Sequence, residues 1–298
     1  MILSRGVLLV VFLLSGSIHP ISRVVVLGIA QDGGIPHIGC NQPICRTQRH
    51  FVSSLALLGH DSFFLVDATP DLRDQYSQLI HRYPNHAKKN LFDGIFLTHA
   101  HMGHYSGLLY LGKESVSSRQ VPIYCSKEMA SYLQSNAPWN LLVTNGNIEL
   151  HPFSSEEEIR VDGFTVVPLE VPHRREFTDT HGYFIRGGSK SLLYIPDIDS
   201  WDPIREPFLQ WIQKADYALL DGTFYSGDEL PGRDMRLVPH PTVLASLSFF
   251  AALPPFSCHI QFIHLNHTNP LLDSSSPQRQ ELEKTRFKVA ADWEEFQL

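Results

Sequence analysis

Cysteine is scarce in this 298-residue chain, which has four, at positions 40, 45, 125 and 258. Four cysteines cannot form a disulfide framework for a chain of this length, so the fold must depend on an apolar core. The 43% hydrophobic content is sufficient for such a core, and the length suits one large domain. Cys125 and Cys258 lie in apolar, strand-like runs, which predicts that both are unreactive core residues.

Positive charge is also limited. The chain has 24 Lys and Arg against 31 Asp and Glu, a formal net charge of −7, and the basic residues form no stripe. A surface that binds nucleic acid needs clustered positive charge, so we expect no nucleic-acid partner. There is likewise no internal repeat and no low-complexity tract that would divide the chain.

No apolar run is long enough to span a bilayer comfortably, and the run that comes nearest to the required length is at the start of the chain. In residues 1–17, Arg5 precedes the apolar run Gly6–Leu14, and small residues follow at 15–17. This pattern is typical of a signal peptide, with an uncleaved N-terminal anchor as the alternative. We therefore expect an exported (periplasmic or secreted) protein, or an N-terminally anchored one, with a single domain over residues 18–298.

A dinucleotide-binding fingerprint is also absent. The predicted first strand, residues 22–28, is followed by a loop with glycines at 28, 33, 34 and 39. Their spacing is not G-x-G-x-x-G and no helix follows directly, which excludes this type of nucleotide site.

Histidine, in contrast, is abundant, with 16 residues that fall mostly at the ends of apolar runs. The segment Thr98-His99-Ala100-His101-Met102-Gly103-His104 places three imidazoles after a predicted buried strand at residues 91–97. Each buried imidazole nitrogen needs a partner, and one divalent metal ion satisfies several of them at once. The segment therefore predicts the core of a metal site.

This segment resembles the H-x-H-x-D-H signature of the metallo-β-lactamase superfamily, with Gly103 where the family usually has Asp. The longer pattern from Thr98 to Leu108 is similar to the pyrroloquinoline quinone biosynthesis protein B-like branch. The resemblance implies an α/β (α+β) fold, the αββα sandwich of two facing mixed β-sheets with helices outside.

The order of predicted elements fits that sandwich. Residues 51–58 and 62–67 predict a hairpin, and Thr69-Pro70 predicts the start of a helix that runs to residue 81. We place the start of the second half of the sandwich at residues 148–150, and we expect a late strand at residues 259–265.

The resemblance also implies a set of metal ligands. His99, His101 and His173 would hold one ion, with His181 as the competitor of His173. A second ion would be held by His104, Asp197 and His264, with Asp197 able to bridge and with Asp199 and Asp202 as its alternatives. We expect His264 to project from its strand by simple alternation.

Gly103 would leave the second site with one anionic ligand fewer than in the wider family. We therefore expect lower affinity at that site, and we predict that Gly103→Asp raises its occupancy.

Asp221 and His240 resemble a pair in the phosphodiesterase and tRNA-processing branch, in which a carboxylate lies behind a histidine. Such a carboxylate orients the imidazole and leaves its other nitrogen free to deliver a proton. The competing interpretation makes His240 an ordinary residue at the start of a helix, just before Pro241.

Cys40 and Cys45 resemble what remains of a structural zinc site in those relatives, with His267 as the distant ligand and His37 as a spare. In an exported protein a Cys40–Cys45 disulfide competes with this interpretation.

Three functions follow as hypotheses. The leading one is a metal-dependent hydrolase that acts on an ester or phosphodiester of a small-molecule substrate through metal-bound hydroxide, with one or two Zn ions, or Mn or Fe, as cofactor. The second is an iron-dependent oxygenase-like or auxiliary protein in quinone cofactor (PQQ) biosynthesis. The third is a non-catalytic member that binds a metabolite.

Overall fold

The structure is a computed structural model that describes residues 22–87, 91–230, 232 and 238–298. The predicted targeting segment, residues 1–17, lies outside these residues. Among the residues that are described, no helix combines the length and the apolar character needed to cross a membrane.

Within the described residues, the first sheet has seven strands. Their order is β14 (Glu295–Gln297), β1 (Arg23–Gly28), β2 (Ser54–Leu58), β3 (Phe63–Val66), β4 (Gly94–Phe96), β5 (Val121–Ser126) and β6 (Ile148–Phe153). Pairing is antiparallel from β14 to β3 and parallel from β3 to β6. The predicted hairpin of residues 51–67 is present as β2 and β3.

The second sheet, over the same described ranges, also has seven strands. Their order is β13 (Lys288–Val289), β12 (His259–Ile263), β11 (Tyr217–Asp221), β10 (Ser191–Ile195), β9 (His181–Arg186), β8 (Phe164–Glu170) and β7 (Ile159–Val161). Strands β10 to β13 are parallel, and β7 to β10 are antiparallel.

The described α-helices are α1 (Pro43–Thr47), α2 (Leu72–Arg82), α3 (Met102–Tyr105), α4 (Lys127–Ser135), α5 (Trp139–Thr144), α6 (Arg205–Lys214), α7 (Val243–Ala251) and α8 (Pro277–Glu283). Helix α2 begins at Leu72, three residues after Thr69, where the sequence predicted the helix start. The Thr69 hydroxyl instead accepts a hydrogen bond from the Asp71 backbone N–H, and Asp71 is the residue that precedes the first helical turn.

The core is divided by the first sheet. Along β1, Val24 and Val26 belong to the cluster between the two sheets, whereas Val25 and Leu27 face the cluster under α2 and α4. Successive strand residues point to opposite faces, so a strand that is apolar throughout is buried on both sides. Helices α6 and α7 cover the second sheet through Phe208 and the aromatic pair at 249–250. The predicted αββα sandwich is confirmed.

Two predicted details are wrong. Residues 148–150 do not open the second half, because β6 lies parallel to β5 at the edge of the first sheet. Helices α4 and α5 form the crossover that a parallel pair requires. His264 is not a strand residue either. It follows the last residue of β12 and has a φ of 65°, so the turn of the backbone there, and not strand alternation, directs its side chain.

Candidate metal centre

The histidine-rich segment leaves β4 and enters α3 at the carboxyl end of the parallel part of the first sheet. The loops that follow β10, β11 and β12 approach the same place from the second sheet. Contacts between His99 and Asp197 join the two sheets directly. Side chains that are distant in the chain thus meet where the parallel strands of both sheets end.

Four side chains converge in a first cluster, His99, His101, His173 and Asp197. The Nδ1 of His101 lies 2.9 Å from Nε2 of His99 and 3.1 Å from Nε2 of His173. The Oδ2 of Asp197 lies 3.3 Å from Nε2 of His99 and 3.2 Å from Nε2 of His173. Three imidazoles and one carboxylate at this separation suit a four-coordinate Zn²⁺ ion.

A second cluster consists of Asp32, His104 and His264. The Oδ1 of Asp32 lies 3.2 Å from Nε2 of His104 and 3.5 Å from Nε2 of His264. Asp197 adjoins this cluster, with its Oδ2 3.9 Å from Nε2 of His104. Sequence reasoning missed Asp32, although it lies in the glycine-bearing loop after β1. The structure brings all six sequence-predicted metal ligands into these two adjoining clusters.

Gly103 lies directly against Asp32, which changes what this glycine implies for the second cluster. A Cβ atom on Gly103 would lie 2.2 Å from Oδ1 and 2.7 Å from Cα of Asp32. Asp32 therefore occupies the space beside Gly103 and supplies the carboxylate that position 103 lacks. The second cluster is not short of an anionic ligand, and the basis for expecting Gly103→Asp to fill it is removed.

The electrostatics of the two clusters favour bound cations. Burial by itself would raise the pKa of Asp197, but the neighbouring His173 and His240 hold it well below its usual range. His104 and His264 likewise hold the pKa of Asp32 well below its usual range against the effect of burial. Both carboxyl groups are therefore ionised. Burial lowers the pKa of His99, which favours the neutral imidazole that binds a metal.

Each of the five cluster histidines has one ring nitrogen that faces away from the clusters, and that nitrogen contacts another residue. The partners are Thr98 Oγ1 for His99 (3.0 Å), Glu176 for His101 (3.1 Å), Asp67 for His104 (2.7 Å), Asp199 for His173 (2.6 Å) and Thr223 Oγ1 for His264 (3.0 Å). Such contacts fix the tautomer and orientation of a metal-binding histidine. Asp67 and Thr223 were not predicted, because a supporting residue has no motif of its own.

Several buried polar atoms in the two clusters test whether a cation fits. The Oδ1 atoms of Asp32 and Asp197 and the Nε2 atoms of His104 and His264 make no hydrogen bond to any described residue. A buried polar atom without a partner costs about 1–3 kcal/mol, and divalent ions held by these clusters would give such atoms partners. The residues therefore fit a metal centre, which the donor set makes suitable for Zn²⁺ or a similar ion.

His240 lies beside these two clusters and, with Asp197 and His264, forms a third group of side chains that could hold a metal ion. Its Nδ1 is 2.9 Å from Oδ2 of Asp221 and 3.3 Å from Oδ1 of Asp197. Burial lowers the pKa of His240, but the charges of Asp221 and Asp197 outweigh burial and raise it to about 9. Helix α7 begins at Val243 with Thr242 as its cap, so His240 is not a residue of the helix. The structure thus brings the predicted pair together.

The alternatives weighed for these ligands lie elsewhere. His181 is buried within β9 and is not part of either cluster. Asp199 contacts the outer nitrogen of His173, and Asp202 forms an ion pair with Arg205.

The proposed structural zinc site is not formed. Cys40 and Cys45 are joined by a disulfide, so neither sulfur is a thiolate that could bind zinc. His267 instead stacks on His37, with 4.2 Å between ring centroids, and its Nδ1 contacts Asn266. The disulfide that competed with the zinc site is the form observed. Cys125 and Cys258 are free and buried, as predicted.

Comparison with known proteins agrees with this fold. Residues 63–255 match the family model of the beta-lactamase superfamily domain. The chain therefore belongs to the beta-lactamase superfamily, and the predicted resemblance is confirmed.

Within that superfamily the chain is similar over most of its length to coenzyme PQQ synthesis protein B. It is 28% identical over 304 residues to that protein from Klebsiella pneumoniae (strain 342), covering 90% of this chain and 96% of the relative. The relative from Pseudomonas aeruginosa (strain LESB58) is 28% identical over 312 residues, covering 93% and 100%.

Solved structures show the same fold. Zn²⁺-bound PqqB from Methylobacterium extorquens superposes with a TM-score of 0.78 at 24% identity, covering 93% of this chain and 100% of that one. A diphosphatase from the PhnP family has a TM-score of 0.65 at 22% identity, covering 93% and 97%.

Proposed function

We propose that this protein is a metal-dependent hydrolase that acts on an ester or phosphodiester of a small-molecule substrate. The observation that carries the proposal is the position of Asp197 between two adjoining donor clusters. Its carboxylate contacts His99 and His173 on one side and approaches His104 on the other. A carboxylate in this position can bridge two ions.

The donor sets would hold one ion at His99, His101 and His173 and a second at Asp32, His104 and His264, with Asp197 shared. Divalent ions bound there would supply Lewis acidity, which lowers the pKa of water and neutralises the negative charge that develops on the substrate. Because Asp32 completes the second donor set, the absence of a carboxylate at position 103 no longer favours a single ion.

His240 would act in proton transfer. Its Nδ1 donates to the Asp221 carboxylate, which directs Nε2 away from that buried carboxylate. A histidine held in this way keeps a proton at Nε2 for the leaving group. Asp221 is itself held in place, because it accepts hydrogen bonds from the backbone N–H groups of Ile198 and Thr223.

The test is hydrolysis by the full chain after chelation and reloading with Zn²⁺, Mn²⁺ or Fe²⁺. We expect reloaded protein to cleave aryl esters or phosphodiesters, and chelated protein to be inactive. In His240→Ala, metal content should be unchanged, whereas turnover should fall by about 10²–10⁴ and fall least for good leaving groups. Loss of metal in this variant, or the same fractional loss for all leaving groups, would contradict the assigned role.

Similarity to coenzyme PQQ synthesis protein B over 90% of the chain favours a second candidate. In that case the protein takes part in the synthesis of a quinone cofactor, as an iron-dependent oxygenase-like or auxiliary protein. Metal analysis of protein purified without chelators separates the two. Two equivalents of zinc or manganese support hydrolysis, and iron alone supports the second candidate.

We also propose that the protein is exported or anchored by residues 1–17. The Cys40–Cys45 disulfide supports this, since disulfides persist mainly in oxidising compartments. N-terminal sequencing of the mature protein from fractionated cells would find a start near residue 18 if the segment is cleaved, and Met1 in the membrane fraction if it is an anchor.

A further inference from the structure

A pocket of about 590 Å³ lies beside the second donor cluster. Asp32 belongs to both, since it lines the pocket and its carboxylate faces His104 and His264. Volumes of roughly 300–1,000 Å³ are typical of sites for small molecules. A ligand whose reacting group lies at the donor clusters could therefore extend directly into this pocket.

Carbon atoms supply much of the pocket wall. The buried part of the wall consists of Ile35, Phe51 and Val52. Two further lining residues, Ile38 and Met102, are exposed to solvent. Ile38 is 91% exposed, the highest value among the large hydrophobic side chains of the described residues. Covering exposed apolar side chains with an apolar ligand is favourable, because it removes apolar surface from water.

The charged side chains along the wall already have partners within the protein. Arg49 donates to Asp74 at 2.7 Å, and Asp71 accepts from the Val52 backbone N–H at 2.9 Å. His50 contacts Asp292 and Gln48. The pocket therefore offers a ligand mainly apolar surface, and Asp71 and Asp32 would repel a second anionic group.

We propose that this pocket binds an apolar, uncharged group of the substrate, of the size of a phenyl ring or a branched alkyl chain, while the ester or phosphodiester lies at the metal centre. This inference rests on the proposed function for the placement of the reacting group. It assigns the substrate class: an ester or phosphodiester that carries an apolar substituent beside the scissile bond.

A binding experiment tests the pocket without any turnover. Calorimetry with the metal-loaded full chain would compare phenylphosphonate with methylphosphonate, which share the metal-binding group and differ in the apolar part. We expect phenylphosphonate to bind about tenfold more tightly, which corresponds to burying roughly two methylene groups. In Ile38→Asp the preference should largely disappear, because the substitution places a charge at the pocket mouth.

The matched control is Leu141→Asp, which introduces the same charge at a leucine on α5 that is 53% exposed and does not line the pocket. We expect its phenyl preference to equal that of the wild type. Equal binding of the two phosphonates by the wild type, an unchanged preference in Ile38→Asp, or the same loss in both variants would overturn the pocket assignment.

Turnover then separates this inference from the proposed function. Phenyl and methyl 4-nitrophenyl phosphate have the same leaving group, so a higher kcat/KM for the phenyl compound supports the pocket directly. If neither is cleaved but the phosphonate preference is present and sensitive to Ile38, the hydrolase proposal fails and the pocket stands. If both are cleaved at equal kcat/KM, the pocket assignment fails and the hydrolase stands.

Discussion

Replacing Gly103 with alanine should remove one metal ion from the centre. The new Cβ would lie 2.2 Å from Oδ1 of Asp32, and real Cβ contacts essentially never fall below 3.0 Å. Asp32 must therefore move by about 0.8 Å, whereas metal–ligand distances tolerate changes of only about 0.2 Å. Because Cα of Asp32 is also within 2.7 Å of the new atom, a side-chain rotation alone cannot relieve the clash.

The assay is metal content after equilibrium dialysis against buffered Zn²⁺. We expect two equivalents in the wild type and one in Gly103→Ala, since His99, His101 and His173 lie in the other cluster. Gly227→Ala is the matched control, because a Cβ there meets nothing within 4 Å.

An exchange of the two residues makes the test stricter. Asp32→Gly should also lose the second ion, since it removes the carboxylate. The double variant Asp32→Gly, Gly103→Asp removes the clash and returns a carboxylate to the same space, so it should regain part of the affinity. Two tightly held ions in Gly103→Ala would refute the steric reasoning, and full occupancy in Asp32→Gly would show that Asp32 is not a ligand.

Three further predictions concern the same centre and its surroundings. The double variant His99→Ala, His101→Ala should lose the tightly held metal and all activity but keep its far-UV circular dichroism, because the apolar core is independent of the site; full metal content would contradict the ligand assignment. Asp221→Asn should keep its metal and show part of the turnover defect of His240→Ala, because the imidazole remains but loses the charge that orients it. A loss of metal would show instead that Asp221 supports the metal ligands. The double variant Cys40→Ser, Cys45→Ser should lower the free energy of unfolding by about 2 kcal/mol in urea titrations, which is the loop-closure contribution expected for so short a loop. Its metal content should be unchanged. A loss of zinc would support the structural metal site after all.

Prediction from sequence succeeded where the signal is local. The apolar runs of β1 to β3 and the spacing of His99, His101 and His104 depend on neighbours in the chain, and the structure forms these strands and brings the three histidines to the candidate metal centre, as expected. It failed for the backbone at His264, which has a φ of 65° and not the geometry of a strand. It also failed for β6, which belongs to the first sheet because it pairs with β5. Neither a left-handed backbone nor a strand partner is visible in a short stretch of sequence.

The sequence by itself determined the class of fold, through the resemblance carried by residues 98–108, and most of the donor side chains of the centre, because the histidines follow the ends of apolar runs. Only the tertiary structure decided how the second donor set is completed. Asp32 and Gly103 are far apart in the chain, and their close approach follows from the way the loop after β1 packs on α3. The same holds for Asp67, which reaches His104 because β3 and β4 are adjacent parallel strands, and for the pocket beside Asp32, whose walls come from separate loops. These features depend on distances between remote residues, which the packing of the two sheets sets.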